Sequence, residues 1–305
     1  MTAAIGIDLG GSKIEGVRLG ADGEVLAQRR IPSPQGDYAA TIAAIEELVA
    51  WLDHAGPSAS SRSPVGVGAP GSVSKRTGRV HNANSTWLNG RDISGDLSTA
   101  LNRPVRIAND ADCFALSEAV DGAGQGSRIV LGVILGTGAG SGIVVDGRML
   151  DGALGISGEW GHTALPRPAP EEYPGPLCWC GRSSCMEAWV SGPAMSADHF
   201  KVSGERLSAE DIAAAAVAGD AAAQTTLARH QDRLARGLAQ VVNIIDPDVI
   251  VLGGGLSKLA YLYEALPRLM RPHIFADDAV SDVRPPKWGD ASGVRGAAWL
   301  ATSAR

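Results

Sequence analysis

Long apolar runs are missing from this sequence. No stretch of its 305 residues approaches 18 uninterrupted apolar positions, which excludes a membrane-spanning helix. Dense Lys/Arg runs are missing too, and the net charge is −6, so nucleic acid is not expected as a main ligand. The opening Met-Thr-Ala-Ala-Ile-Gly-Ile-Asp has neither a basic nor an apolar leader region, and Asp8 interrupts it at once. Cysteine is scarce. Of four, Cys113 stands alone and Cys178, Cys180 and Cys185 lie within eight residues, an odd cluster that fits a metal site better than a disulfide framework. These absences describe a soluble, unexported, cytoplasmic protein that partners neither membrane nor nucleic acid.

Glycine is what the chain has in quantity. Many of its 39 glycines gather in four short loops, at 10–11, 136–142, 152–161 and 253–255, and clustering of this kind suggests backbone brought close to a ligand. The chain is long enough for two lobes with separate cores. Ala3–Leu9, Lys13–Leu19 and Glu24–Ile31 read as three antiparallel strands, with Ala-Asp-Gly at 21–23 as a hairpin turn. Ile42, Ile45, Leu48, Val49 and Leu52 fall on one helical face. Strands follow at Val65–Gly68, which ends in Ala69-Pro70-Gly71, and at Val105–Ala108, which hands over to a helix at 111–120. Strand, glycine turn, strand and tight turn then recur at 129–147, a sign of duplication. After a Gly- and Pro-rich stretch at 151–176 come helices around 208–219 and 221–245, a strand at Val249–Leu252 and an Ala-rich helix near 292–303. The lobe boundary is expected near 117–127.

Five groups of residues could carry chemistry. In Asp8-Leu9-Gly10-Gly11-Ser12-Lys13, two glycines let backbone N–H groups approach an anion, Ser12 and Lys13 add donors, and Asp8 could hold Mg²⁺ through water. The same residues would equally make a plain hairpin turn. Gly136-Thr137-Gly138-Ala139-Gly140 is a second candidate anion loop, or again a structural turn, and a nucleoside triphosphate has enough phosphates for both. Asn109-Asp110 either caps a helix or projects a general base from the end of a strand, and geometry favours Asp110 over Asp112. His162 with Cys178, Cys180 and Cys185 would make a closed, structural zinc site, against the plainer reading of free thiols beside a surface His. Glu159 and Glu187 flank those ligands, and carboxylates of this kind suit a polyol, although singly each reads as solvated charge.

Together these patterns resemble the ROK family of bacterial sugar kinases and repressors. The resemblance runs from Ile5 to the C-terminus. It covers Asp8-x-Gly-Gly-Ser-Lys13, Asn109-Asp110-Ala-Asp-Cys113, Leu135-Gly-Thr-Gly138, Gly158-Glu-Trp-Gly-His162, Cys178-x-Cys-Gly-x₃-Cys-x-Glu187 and Leu252-Gly-Gly-Gly-Leu-Ser257. It implies an α/β, actin-like ATPase fold with two ribonuclease-H-like lobes, an interlobe cleft and a zinc-binding loop. Residues 1–120 would form the smaller lobe, joined by a C-terminal helix at about 291–305, and 121–290 the larger. Asp110 would be the catalytic base, while Asn109, Glu159, His162, Glu187 and Gly71 contact the sugar. Gly10, Gly11, Ser12, Lys13, Gly136, Thr137 and Gly138 would hold phosphates, with Asp8 on Mg²⁺ and Gly253, Gly254 and Gly255 beside ATP. A homodimer is implied as well.

Asn82-Ala-Asn-Ser-Thr-Trp-Leu-Asn-Gly90, Ser117-Glu-Ala-Val-Asp-Gly122, Asp246-Pro-Asp-Val-Ile-Val-Leu252 and Ser292-Gly-Val-Arg-Gly-Ala-Ala-Trp-Leu300 look most like the fructokinase/mannokinase branch. The expectation is a fructokinase, with mannose as a further substrate. The alternatives are an N-acetylglucosamine or glucose kinase, or a sugar sensor without catalysis. A repressor is disfavoured because the first strand begins at Ala3 and leaves no room for a DNA-binding segment. Ser12 for Thr, Ser184 for Gly and Trp288 for His depart from the family pattern, and none removes a proposed catalytic group.

Overall fold

The computed structural model describes residues 3–55 and 62–303. Strands Ala4–Leu9 (β1), Lys13–Leu19 (β2) and Val25–Pro32 (β3) lead into helix Tyr38–His54 (α1). Val65–Ala69 (β4), a small ribbon of Ser72–Val73 (β5) and Val80–His81 (β6), and helix Ile93–Leu101 (α2) come next. Val105–Asn109 (β7) then passes directly into helix Asp110–Val120 (α3). The chain continues through Ile129–Leu135 (β8), Ala139–Val145 (β9) and Arg148–Met149 (β10). Four helices follow: Glu187–Val190 (α4), Gly192–Ser203 (α5), Ala209–Val217 (α6) and Ala221–Ile245 (α7). Val249–Gly253 (β11), Tyr261–Met270 (α8), Val283–Arg284 (β12) and Ser292–Thr302 (α9) complete it.

Two five-stranded sheets result, ordered β3-β2-β1-β4-β7 and β10-β9-β8-β11-β12. In the first, β3, β2 and β1 are antiparallel neighbours, while β4 and β7 run parallel to β1. The second has the matching order, with β10 antiparallel to β9 and with β11 and β12 parallel to β8. The recurrence seen in the sequence is thus a recurrence of topology. The chain divides into two compact units, one of residues 1–126, 142–157 and 290–305, the other of 127–141 and 158–289. Residues 142–157, expected in the second lobe, belong with the first unit, because β9 continues onto α3 without room for a side chain. A Cβ on Gly142 would stand 2.6 Å from the Ala111 carbonyl oxygen.

On β1 and β4 the side chains alternate in purpose. Ile5, Ile7, Leu9, Val65 and Val67 join Ile45, Leu48, Val49 and Leu52 of α1 and Ile93 and Leu97 of α2 in one core. Of the intervening positions, Gly6 of β1 and Gly66 of β4 receive α9. A Cβ on Gly6 would lie 2.1 Å from the Val294 carbonyl oxygen, and one on Gly66 2.0 Å from that of Ala297. Gly296, on α9 itself, lies equally close to α3, its added Cβ falling 1.7 Å from the Cys113 carbonyl oxygen. The Ala-rich last helix is small-sided because it packs backbone to backbone on the sheet and on α3. Gly66→Ala is therefore expected to destabilise the protein by about 3 kcal/mol, the upper end of overpacking effects, read as a lowered urea midpoint. An unchanged midpoint would mean that α9 can move off the sheet at little cost.

Some elements depart from the sequence reading. The turn after β8 is shorter than expected: Gly136 N–H donates to the Gly138 carbonyl at 2.9 Å, and β9 begins at Ala139 rather than Gly142. Helices α2, α4, α5 and α8 are not among the expected elements. α2 carries Gly95 and two serines, yet it buries Ile93, Leu97 and Leu101 and is capped by Asp92, whose carboxylate accepts from Gly95 N–H. Packing and capping there outweigh weak propensity.

Candidate active site and metal centre

In the first unit, the residues singled out gather at the ends of neighbouring strands. Gly10 N–H donates to the Lys13 carbonyl at 3.0 Å, closing the β1–β2 turn, with Ser12 and Lys13 exposed. A Cβ on Gly11 would stand 3.0 Å from Ser85 Oγ, so the turn lies close against that hydroxyl. Asp8 is level with Gly68 of β4, and Gly68 with Ala108 of β7. Two residues on, Asp110 stands exposed in the first turn of α3, where the helix dipole favours negative charge. Its Oδ1 accepts from Ala111 N–H at 2.8 Å. Asn109 is the helix cap, also accepting from Ala111 N–H at 2.8 Å, and its amide donates to the Gly71 carbonyl at 2.9 Å. Asn109 thereby ties the 69–71 turn to the end of β7. Gly71 has φ +80°, and its added Cβ would stand 2.5 Å from the His81 carbonyl oxygen.

Burial first, then the charges of Asp110 and Glu15, push the Asp8 carboxyl up to about 6, against the opposing effect of Lys13 and Arg30. Glu15 is buried directly opposite Asp8 in the β1–β2 register. It accepts from Gln28 Nε2 at 2.6 Å and from Arg30 Nε and Nη2 at 3.0 and 2.6 Å. The sequence reading passed over Glu15, whose one signal is a carboxylate inside an otherwise apolar strand. Between about pH 4 and 6 folded Asp8 keeps a proton that the unfolded chain has released, so its contribution to stability falls as pH rises through that window. Asp8→Asn should accordingly stabilise the ligand-free protein at pH 8 by up to about 3 kcal/mol, with the gain shrinking toward pH 4. Urea midpoints at the two pH values test this, and a gap that does not change with pH would refute it.

In the second unit the glycine turns converge, and Glu187 joins them. Gly254, at the end of β11, has φ +77°, and an added Cβ would stand 2.4 Å from the Leu135 carbonyl oxygen. The 253–255 and 136–138 turns are thus neighbours, and Gly136 also accepts from Gly192 N–H at 2.8 Å. Glu187 reaches the same turn: Oε2 accepts from Ala139 N–H at 3.0 Å, and a Cβ on Gly138 would fall 2.5 Å from it. Its Oε1 accepts from Trp179 Nε1 at 2.5 Å, a contact the sequence reading did not foresee because Trp179 stood only as the spacer between two cysteines. Glu159 is half-buried and precedes the short turn Trp160–His162 that carries the imidazole.

His162, Cys178, Cys180 and Cys185 offer four ligand atoms all within 4.8 Å of one another. Cys178 Sγ lies 3.7 Å from His162 Nδ1, and Cys180 Sγ 3.6 Å from Cys185 Sγ. Zn–S bonds of about 2.3 Å and Zn–N bonds of about 2.0 Å in a tetrahedron require ligand separations of about 3.5–3.8 Å. The donor set fits zinc in chemistry, and these two separations are those such a tetrahedron needs. Trp179 packs edge-on against His162, with ring centroids 5.2 Å apart.

The sequence matches the model of the ROK family over residues 4–304. It is 36% identical over 299 residues to N-acetyl-D-glucosamine kinase of Yersinia enterocolitica, covering 97% of this chain and 98% of that relative. It is 37% identical over 297 residues to N-acetylgalactosamine kinase of a Shewanella species, covering 97% and 95%. The solved structure of the ROK hexokinase from Thermus thermophilus superimposes with a TM-score of 0.86 at 31% identity, covering 98% of this chain and 97% of that one. The expected fructokinase/mannokinase branch finds no support in these relatives. Ser85-Thr-Trp-Leu-Asn-Gly90, one of the motifs behind that expectation, is held by its own contacts. Leu88 is buried, and the Asn89 amide bonds both to Ala83 N–H and to the Ala83 carbonyl, at 2.9 and 3.1 Å, so the motif shapes a loop. Among the described residues, no helix is long and apolar enough to cross a membrane.

Proposed function

Because the chain belongs to the ROK family and is a sugar kinase, a phosphotransferase whose acceptor is a sugar hydroxyl, we propose that it phosphorylates an N-acetylhexosamine, foremost N-acetylglucosamine, on its 6-hydroxyl. The observation that carries the substrate class is the likeness, over 97% of the chain, to kinases named for N-acetylglucosamine and N-acetylgalactosamine.

In this reading Asp110 accepts the hydroxyl proton as the oxygen attacks the γ-phosphorus of ATP, and Asn109 holds the 69–71 turn so that Gly71 keeps its place beside the sugar. The N–H groups of the Gly10–Lys13 and Gly136–Gly138 turns bind phosphate oxygens, and Gly253–Gly255 borders the nucleotide. Asp8 would hold Mg²⁺, which neutralises charge on the phosphates; the ionised carboxylate it needs is present above about pH 6. Glu187, Glu159 and His162 contact the sugar, with Glu187 oriented by Ala139 N–H and Trp179. Zinc on His162, Cys178, Cys180 and Cys185 has no open position and would supply rigidity alone. The protein is taken to be a cytoplasmic homodimer that binds hexose and ATP.

ADP release with Mg-ATP against N-acetylglucosamine, N-acetylgalactosamine, glucose, mannose and fructose tests the proposal. The highest kcat/KM should belong to an N-acetylhexosamine. A clear preference for fructose would restore the branch suggested by the sequence motifs, and no turnover of any sugar by folded, zinc-loaded protein would favour a sensor.

A further inference from the structure

Trp179 stands between two cysteines of the candidate zinc set, and 62% of it is exposed. Exposure of a large apolar residue is ordinary by itself. Here the exposed indole is also held firmly, at its backbone and at its ring. Cys178 N–H donates to the Arg182 carbonyl at 2.8 Å and Gly181 N–H to the Cys178 carbonyl at 3.0 Å, which closes a tight turn around residue 179. Gly181, at φ +85°, supplies the left-handed backbone of that turn. At the ring, Nε1 donates to Glu187 Oε1 at 2.5 Å, and the plane stands at 81° to the His162 imidazole.

The single polar atom of the indole is thus committed to Glu187, and its exposed carbon surface is left for an apolar partner. Glu187 keeps acceptor capacity beside it. Each carboxylate oxygen takes one N–H, from Trp179 and from Ala139, while a carboxylate has about four acceptor sites. His162 has Nδ1 toward Cys178, so Nε2 lies on the other side of the ring. A ligand hydroxyl bonded to either group sits about 3 Å from it. That is within reach of an indole bonded to the one and packed against the other.

We propose that Trp179 is a further sugar-contact residue, its ring lying along carbon-bound hydrogens of the sugar while Glu187 and His162 take hydroxyls. The inference rests on the reading of those two side chains as sugar contacts. A hexose offers both hydroxyls and apolar C–H surface, and small-molecule sites pair an aromatic wall with a few placed polar groups in this way. Because the Nε1 bond and the tight turn fix the ring beforehand, little freedom is lost when the sugar arrives.

The test is carried out on protein with ¹³C-labelled tryptophan, saturated in turn with N-acetylglucosamine and with glucose in the absence of ATP. Nuclear Overhauser effects are read between the sugar and the indole whose signals vanish in Trp179→Phe. Carbon-bound sugar hydrogens should show contacts to that indole. Trp179→Ala should raise KM for the sugar about tenfold or more and change kcat less, with Trp179→Phe recovering part of the loss and bound zinc unaltered in both. A sugar that binds saturably without an Overhauser effect to that indole would overturn the contact, whatever the kinetics of the variants. Contact with glucose, together with no phosphorylation of N-acetylglucosamine, would refute the acceptor proposed above and leave Trp179 in its place.

Discussion

Asp110→Asn is expected to lower kcat about 10²–10⁴-fold, the usual contribution of a general base, while the protein stays folded and keeps its zinc loop. Both halves follow from local geometry. Asp110 Oδ1 accepts from Ala111 N–H at 2.8 Å, a bond an asparagine oxygen can accept equally well. Asn109 caps the same N–H, so the start of α3 is held twice. What the substitution removes is an exposed, negatively charged acceptor at the end of β7, the part a transferring hydroxyl needs. KM should change far less than kcat. An internal control comes with the variant, because the charge of Asp110 raises the Asp8 pKa. Its loss should move the Asp8 titration toward ordinary carboxylate values and flatten the stability change between about pH 4 and 6. A variant retaining a tenth or more of wild-type kcat would exclude Asp110 as the base.

Glu172→Gln is expected to cost about 3–5 kcal/mol of stability at pH 7. Glu172 lies in the Gly- and Pro-rich stretch that the sequence leaves without regular structure, yet it is only 6% exposed. Its Oε1 accepts from Arg233 Nε at 2.8 Å, both oxygens accept from Arg236 Nη2 at 2.9 Å, and Oε2 accepts from Ala169 N–H at 2.9 Å. Asp198 and Asp232 also pair with these arginines, and Arg233 stacks 4.5 Å from the Trp189 ring centroid. Without the carboxylate, two guanidiniums at 7% side-chain exposure lose their shared counter-charge. Burial alone would raise the Glu172 pKa, but the bonds from Arg233, Ala169 N–H and Arg236 outweigh it and hold the carboxyl below its usual range. Its stabilisation is therefore complete above the unfolded value near pH 4.5 and is lost as pH falls below it. The difference in urea midpoint between wild type and variant should narrow in acid. A difference below about 1 kcal/mol at pH 7 would mean that Asp198 and Asp232 suffice for the pair.

What could be read from the residues was local. The β1–β2 turn, the strand-to-helix passage at Asn109-Asp110 and the His162/Cys178/Cys180/Cys185 set each depend on short spacing and residue type. Helix α7 was legible end to end because 25 residues of periodic pattern run from an Asp220 cap to a left-handed Asp246. Helix α2 was not, since three apolar residues among Gly and Ser make no strong period. The acceptor sugar is not legible there: the similar kinases do not support fructose, and Asn89 and Leu88 of Ser-Thr-Trp-Leu-Asn-Gly serve the loop.

The sequence by itself determined the family, the two strand–glycine–strand hairpins, the candidate base and the candidate zinc ligands, since turn chemistry and ligand spacing are written in consecutive residues. Only the tertiary structure decided that both sheets share one strand order, and that Glu15 lies against Asp8 and Trp179 against Glu187. It alone decided that Gly6 and Gly66 make room for α9 and that Glu172 meets Arg233 and Arg236 from 61 and 64 residues away. Contacts of that kind join positions whose separation carries no period, so burial and close approach become visible only when the chain has closed on itself.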